Sequence, residues 1–232
     1  MTVGVVSGLP RETDCFQAIP EAERHFKTFA GVGPARAEEG ARALIEHGAQ
    51  GLMSFGVAGG LSADAPAGMV VLATKVVAGD TSFKASEPWR REIYALIGSS
   101  VPVAEAAIAG SDRMVGTPDD KRGLHKGSGA IACDMESHAV ARVAAELNVP
   151  FCVVRAISDP DDRVVPKWVL KCLTRSGDVR IGALAWQAAR RPQAWGNLIR
   201  LAGDSRKAFD GLRGVAGGLG PRLGFQLGLG ES

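Results

Sequence analysis

Three carboxylates mark the run AIACDMESHAVARVAAELNVPFCVVRAISDPDD, residues 130–162. Asp134, Glu136 and Asp159 sit at the ends of segments that read as strand, helix and strand. A carboxylate so placed can accept hydrogen bonds from a bound hydroxyl, or can donate a proton where burial keeps it neutral. Asp134 also fits the plain role of a helix N-cap, with Glu136 favourably placed in the first helical turn. Asp159 ends its strand in SDPDD, and ligands of open α/β sheets bind just beyond the carboxyl edge of the strands. Two neighbouring strand ends are therefore expected to converge on one crevice.

The elements that must position these groups follow from the hydrophobic pattern. TVGVVS, HFKTFAG, GLMSFGV, GMVVLATKVV, PVAEAAIAG, GAIACDM and PFCVVRAIS read as short strands. Most are apolar on both faces, the pattern of a sheet covered by helices on both sides. Helical patterns at Pro34–His47, Pro88–Gly98 and Glu136–Leu147 suit crossover connections. In the last of these, Ala139, Val140, Val143, Ala144 and Leu147 make one apolar stripe, with Arg142 and Glu146 on the exposed face. The expectation is an α/β fold, a three-layer α/β/α sandwich around a central twisted mixed sheet. One catalytic domain is expected over residues 1–186. Composition shifts after about Gln187, so residues 187–232 read as a basic, amphipathic, helical extension, with eight glycines in the last 22 residues and a frayed end.

Composition narrows the functional classes. A chain of 232 residues with 46% hydrophobic and 22% charged side chains can bury one substantial core. A formal charge of +2, a pI near 8.4 and the lack of any block of like charges argue against a nucleic-acid partner. Cys15, Cys133, Cys152 and Cys172 form no CxxC pair and read as buried free thiols in a reducing compartment. The opening MTVGVVSG reads as a strand rather than a signal peptide, and uncharged stretches fall short of a membrane span. A cytoplasmic location is expected. GVGPAR at 31–36 lacks the third glycine of a dinucleotide fingerprint and reads as a tight turn with Pro34 opening a helix. His25, His47, His125 and His138 are scattered without ligand spacing, so no metal is expected. Asp80 is read as capping a turn, and Asp161, Asp162 and Arg163 as a solvated loop beside Asp159.

CDMESHAVARVA followed by PFCVVRAISDPDD resembles the purine nucleoside phosphorylase and nucleosidase superfamily, which cleaves the bond between a ribose and its base. GVVSGLPRE looks like that family's first strand and loop, SFGVAGGL like its glycine-rich strand end, and AGSD like the stretch before its base pocket. The likeness covers most of residues 2–185, and the adenine-specific nucleosidases acting on 5′-methylthioadenosine (MTA) and S-adenosylhomocysteine (SAH) are the members it resembles. It implies a nucleoside phosphorylase-like sandwich, cleavage of an adenine nucleoside without metal or organic cofactor, and a homodimer or higher oligomer. Carried over by position, Glu136 accepts hydrogen bonds from the ribose hydroxyls and Met135 packs under the sugar. Asp159 protonates the purine, and the backbone from Arg113 through Met114 to Val115 holds the base edge.

The attacking group is open at this stage. Glu12 falls where the nucleosidases have the glutamate that activates water, whereas Gly8 with Arg11 imitates the loop that holds inorganic phosphate as co-substrate in phosphorylases. Ser54 and Val57 replace an arginine and a serine that would favour phosphate, so the balance leans towards water. Val57 also lacks the serine hydroxyl of many nucleosidases.

The tail ARRPQAWGNLIRLAGDSRKAFDGLRG resembles that of hopanoid-associated phosphorylases, which implies adenosylhopane, an adenosine with a polycyclic lipid on its 5′ carbon, as substrate. From Gln187 onward seven Lys or Arg face three Asp or Glu, with Trp195, Leu198, Ile199 and Leu201 available for an apolar face. Such a helix suits peripheral contact with the inner face of an anionic membrane. A small thioether nucleoside, or nucleoside binding without turnover, are the alternatives.

Overall fold

The computed structural model describes residues 2–170, 172, 174 and 180–226. In chain order its elements begin with β1 (Val3–Ser7), α1 (Pro10–Thr13), β2 (Phe26–Ala30), α2 (Pro34–Glu46), β3 (Gly51–Gly60) and β4 (Val70–Ala78). They continue with β5 (Thr81–Lys84), α3 (Glu87–Ile97), β6 (Val103–Gly110), α4 (Pro118–Ser128), β7 (Ala132–Asp134) and α5 (Ser137–Glu146). The last are β8 (Phe151–Asp159), α6 (Lys167–Leu170), α7 (Ile181–Ala189) and α8 (Trp195–Leu219).

The strands form one mixed sheet in the order β2-β1-β3-β7-β6-β4-β5, and β8 pairs with both β3 and β4. It lies parallel to β3 and antiparallel to β4. The central strands β3, β7, β6, β4 and β8 thereby close into a ring. Hydrophobic pattern predicts every strand but β5, and it does not predict this closure, because pairing is decided by residues far apart in the chain.

Alternation along β8 shows why its sequence is apolar throughout. Cys152, Val154 and Ala156 join a core formed with α3 and the second half of α8, whereas Val153 and Ile157 join one formed with α2 and α5. Each face of the sheet is covered by a pair of helices, so the expected three-layer mixed α/β sandwich is the observed fold. Burying each large aliphatic side chain of these layers contributes about 1.5–3 kcal/mol before entropy is charged against it.

Two segments depart from expectation. The apolar pattern does not predict α4, whose residues are mostly polar. Its signals lie at the ends: the Thr117 hydroxyl accepts the Asp120 N–H at 3.2 Å, Pro118 opens the first turn, and Gly129 closes the helix at φ +68°. Second, the glycine-rich stretch through Phe225 is packed rather than frayed. Ala208, Phe209, Leu212, Val215, Ala216 and Leu219 of α8 are buried. Beyond the helix, the Trp89 indole donates to the Leu223 carbonyl at 2.9 Å and packs at a tilt of 55° against Phe225, ring centroids 4.6 Å apart. Small residues allow this approach, since a Cβ on Gly211 would lie 3.0 Å from the Gly68 carbonyl oxygen. The expectation for residues 227–232 lies outside the described residues. The first half of α8 stays open, with Trp195 and Ile199 53% and 71% exposed.

If α8 is part of the core, Leu212→Ala lowers unfolding free energy by about 2–5 kcal/mol. Urea denaturation checks this, and a loosely attached extension would give a change near zero.

Candidate active site

A cavity of about 210 Å³ opens where β1, β3, β6, β7 and β8 end. Gly8, Glu12, Val57, Met114, Val115, Met135, Glu136 and Asp159 all line it. The chain brings them together through register. Gly59 of β3 pairs with Cys133 of β7 on one side and with Asp159 of β8 on the other. Glu136 and Asp159 therefore do not follow neighbouring strands, as expected from the sequence, but strands flanking β3. A Cβ on Gly59 would lie 3.0 Å from Asp159 Oδ2, and one on Gly56 would lie 2.5 Å from both Glu12 Oε1 and Arg155 Nη1. The glycines of SFGVAGGL are thus the room into which the acidic side chains fit.

Glu12 is 1% exposed on the short helix α1. Its Oε1 accepts the Val57 N–H and its Oε2 the Leu9 N–H, both at 2.8 Å. Glu136 is 7% exposed; its Oε1 accepts the Gly33 N–H at 2.9 Å, and its Oε2 lies 3.8 Å from Arg155 Nη2. The GVG turn, with Gly33 at φ +86°, therefore holds an acidic side chain rather than a dinucleotide. Asp134 takes the capping role: its Oδ1 accepts the N–H groups of Glu136 at 3.2 Å and Ser137 at 2.9 Å, and its Oδ2 accepts the Ser137 hydroxyl. That same Oδ2 accepts Arg155 Nε at 2.6 Å.

Arg155 is the group that sequence reasoning passed over. Fully buried in the middle of β8, it donates Nη2 to the Ser54 hydroxyl at 2.7 Å and to the Ser137 hydroxyl at 3.3 Å, leaving Nη1 without a partner. A signal was present, since an arginine inside the apolar run VVRAIS must be buried, and a buried charge needs partners. Lys121 was also missed. It too is fully buried, pairing with Asp159 at 2.7 Å, but TPDDKRG reads as solvated and carries no sign of this.

These surroundings shift the carboxyls upward. Burial raises Glu12, opposed by the Arg155 charge and by backbone donors. Burial pushes Glu136 up to about 7, with Arg155 opposing and Asp134 adding to the rise. Burial also raises Asp159, against the pull of Lys121 and the Ser158 hydroxyl. Three carboxyls facing one cavity are thus eased towards the protonated form, while the fourth, Asp134, is committed to Arg155 and to the α5 cap.

The residues expected to hold phosphate separate. Gly8 lines the cavity, but Arg11 is exposed, its guanidinium 5.1 Å over the Phe209 ring and outside the lining. Ser54 is buried against Arg155 and also stands apart from the lining, while Val57 contributes its N–H to Glu12. Asp80 sits on the β4–β5 turn, and His138 pairs with Asp112 at 3.1 Å. Among the described residues no group of three or more His, Cys, Asp or Glu is spaced to hold a metal ion, and no helix is long and apolar enough to cross a membrane.

The fold and site define a mixed α/β protein whose cavity gathers carboxylates from separate strand ends over a glycine-rich strand. The chain belongs to the phosphorylase superfamily, whose model matches residues 22–170. It is similar to the 5′-methylthioadenosine/S-adenosylhomocysteine nucleosidase of Staphylococcus aureus (strain JH9), 30% identical over 80 residues. That stretch covers 34% of this chain and 35% of the relative, so the match spans about a third of the length of such curated relatives. Among solved structures it is similar to the 5′-methylthioadenosine/S-adenosylhomocysteine nucleosidase of Neisseria meningitidis in complex with methylthio-immucillin-A. The TM-score is 0.70 at 18% identity, over 93% of this chain and 96% of the other. Futalosine hydrolase of Helicobacter pylori superposes with a TM-score of 0.67 at 18% identity, over 93% and 97%. At this identity the likeness establishes the fold.

Asp134→Ala leaves Arg155 buried without its main partner, and is expected to cost about 3–5 kcal/mol of stability, read by denaturant unfolding. Glu136 gives a pH signature. Its folded value near 7 lies above the ordinary 4.5, so the folded chain holds the proton more tightly and loses stability as pH rises through that window. Glu136→Gln removes this contribution, and its unfolding midpoint should vary less between pH 5 and 7 than the parent's.

Proposed function

We propose that this chain hydrolyses the N-glycosidic bond of a purine nucleoside, with adenine as the base. The observation carrying this reading is that Glu12, buried on α1 just after β1, and Asp159, 14% exposed at the end of β8, face one cavity with Glu136 beside them. Departure of a purine leaves negative charge on the base and a cation-like ribose, and an enzyme must stabilise both. Asp159, raised by burial, carries the proton for N7 of the leaving base. Glu136 accepts hydrogen bonds from the ribose hydroxyls, and the Met135 thioether packs on the apolar sugar face. Glu12 takes the proton of the attacking water. General acid or base help of this kind contributes about 100-fold to 10,000-fold each. The similarity to 5′-methylthioadenosine/S-adenosylhomocysteine nucleosidases supports adenine.

Water is favoured over phosphate on electrostatic grounds. Among the described residues the lining contains Glu12, Asp134, Glu136 and Asp159 with one cation, the exposed Arg113, and Arg11 lies outside it. A phosphate dianion would meet these carboxyls with Arg113 alone to offset their repulsion.

For the 5′ substituent we propose an apolar group that leaves the cavity, as adenosylhopane would in hopanoid lipid biosynthesis. The cavity, small beside the roughly 300–1,000 Å³ of ordinary ligand pockets, suits the nucleoside alone. Val165 lines it, and neighbouring Val164 is exposed, its carbonyl accepting from Asn197 of α8 at 2.7 Å. That tie sets the opening against the half of α8 that exposes Trp195 and Ile199. The described residues 180–203 carry Arg180, Arg190, Arg191 and Arg200 with no acidic residue, and α7 exposes Trp186, which supports contact with an anionic membrane face. The small cavity equally suits a methylthio-sized substituent, which is the second reading.

The test is adenine release in phosphate-free buffer from adenosines with 5′ substituents of increasing apolar size, with the sugar product weighed by mass spectrometry. Free ribosyl product without phosphate is expected, kcat/KM should rise with apolar size, and Glu12→Gln and Asp159→Asn should each lose about 100-fold or more in kcat. Strict dependence on phosphate, with a sugar 1-phosphate formed, would overturn hydrolysis. A rate falling with substituent size would favour the small thioether nucleosides.

A further inference from the structure

Lys121 sits behind the cavity wall on α4, with no solvent exposure. Its ammonium places three N–H groups on three oxygens: Asp159 Oδ2 at 2.7 Å, the Asp159 carbonyl at 2.9 Å and the Pro160 carbonyl at 2.7 Å. Tying down the end of β8 would need only the two carbonyls. The remaining bond goes to the side chain that faces the cavity, whose other oxygen, Oδ1, accepts the Ser158 hydroxyl at 2.8 Å. Both carboxyl oxygens are thus fixed by groups outside the lining or at its rim, and the rotamer of Asp159 is set before any ligand arrives.

We propose that Lys121 is a positioning residue for glycosidic cleavage: it orients the Asp159 carboxyl and stabilises the carboxylate left when Asp159 gives up its proton. The inference rests on Asp159 being the general acid of the proposed reaction. In that step the Asp159 O–H bond breaks as N7–H forms, and the electron pair of the C1′–N9 bond passes to the base. Water adds to C1′, and its proton goes to Glu12. No other reactant is consumed. An oxygen already accepting from an ammonium is the poorer place for a proton, so Oδ1 carries it and Oδ2 remains with Lys121. The ion pair is weak while Asp159 is neutral and strong once it is charged, so its stabilisation grows as the reaction proceeds.

The other groups facing Asp159 do not substitute for this ammonium. Cys133 on β7 has its thiol pushed up to about 12 by burial and stays neutral. Asp204 on α8 carries like charge, and Arg163, after β8, is engaged with that Asp204 at 2.7 Å. Lys121 pulls the Asp159 carboxyl down against the rise caused by burial. Removing it lets the carboxyl rise further, so the alkaline limb of kcat/KM, which needs protonated Asp159, moves to higher pH.

The experiment compares the parent with Lys121→Met and Lys121→Arg on two substrates across pH: an adenine nucleoside, and 4-nitrophenyl riboside, whose leaving group departs without a proton. For Lys121→Met we expect kcat on the adenine nucleoside to fall on the order of 100-fold, the alkaline limb to shift upward, and a much smaller loss on the nitrophenyl riboside. Lys121→Arg, which keeps the charge, should hold the limb near the parent's. Should circular dichroism show that Lys121→Met does not fold, Lys121→Gln, which keeps a donor without the charge, is read in the same way. An unmoved alkaline limb, or equal losses on both substrates, would overturn the proposal and leave Lys121 a purely structural anchor. A parent that releases no base from either substrate fails differently, since it refutes the glycosidase reading itself.

Discussion

The guanidinium of Arg155 is the interaction around which the rest is arranged. It is buried in the middle of β8, and the charges acting most strongly on it are the carboxylates of Asp134, Glu136 and Glu12. The bond to Asp134 fixes the end of β7 and, through Asp134's cap on Ser137, the start of α5. Glu136 lies between those two elements, so its aim is inherited from the arginine. The charge of Arg155 also partly offsets the burial of Glu12, which arrives from β1 across Gly56. An isolated charge in such a place would cost several kcal/mol, whereas a hydrogen-bonded cluster recovers most of that through its mutual attraction. One cation thereby sets the geometry of the acidic groups that follow two strands, β1 and β7.

Closure of the sheet is the matching constraint on the backbone. β3 is the shared neighbour of β1, β7 and β8, and it can hold Glu12 and Asp159 close only because its far end is glycine-rich. At Gly56 and Gly59 any larger residue would occupy the space of a carboxylate oxygen. The register shift between Ala58 and Gly59 falls at the same place, bending the strand where β8 and β7 deliver their carboxylates. Fold and site are therefore joined most tightly at residues that carry no functional group of their own.

This division explains what the sequence discloses. The strands other than β5, the helices α2, α3 and α5, and the carboxylates at strand ends are legible because each is a local pattern: an apolar run, an amphipathic stripe, an acid where a strand stops. The closed ring and the partners of the carboxylates are not, because they join positions far apart. Glu12 meets Val57 across 45 residues, Lys121 meets Asp159 across 38, and Gly33 meets Glu136 across 103. Arg155 lay between these cases, visible as a charge in an apolar strand but without a hint of its partners. Arg11 shows the opposite failure: its spacing imitated a phosphate loop, yet a cation beside an aromatic ring found the outside of α8 more favourable than the cavity. The packed tail was misread because glycine suggests looseness, whereas Gly211, Gly214 and Gly218 are where α8 lies close against its neighbours.

The arrangement of charge also bears on why Glu12 and Glu136 are shifted upward. Four carboxylates meet two buried cations, Arg155 and Lys121, and each cation is already committed: Arg155 chiefly to Asp134, Lys121 to Asp159. Glu12 and Glu136 are left with backbone donors and a share of Arg155, which is too little to offset burial, so they drift towards neutrality. A site in this condition is short of positive charge. On the proposed chemistry that charge comes from the substrate, because the ribosyl group becomes cationic as its base departs. The carboxylates would then recover in the transition state the stabilisation that burial denies them, and would recover it from nothing that stays neutral.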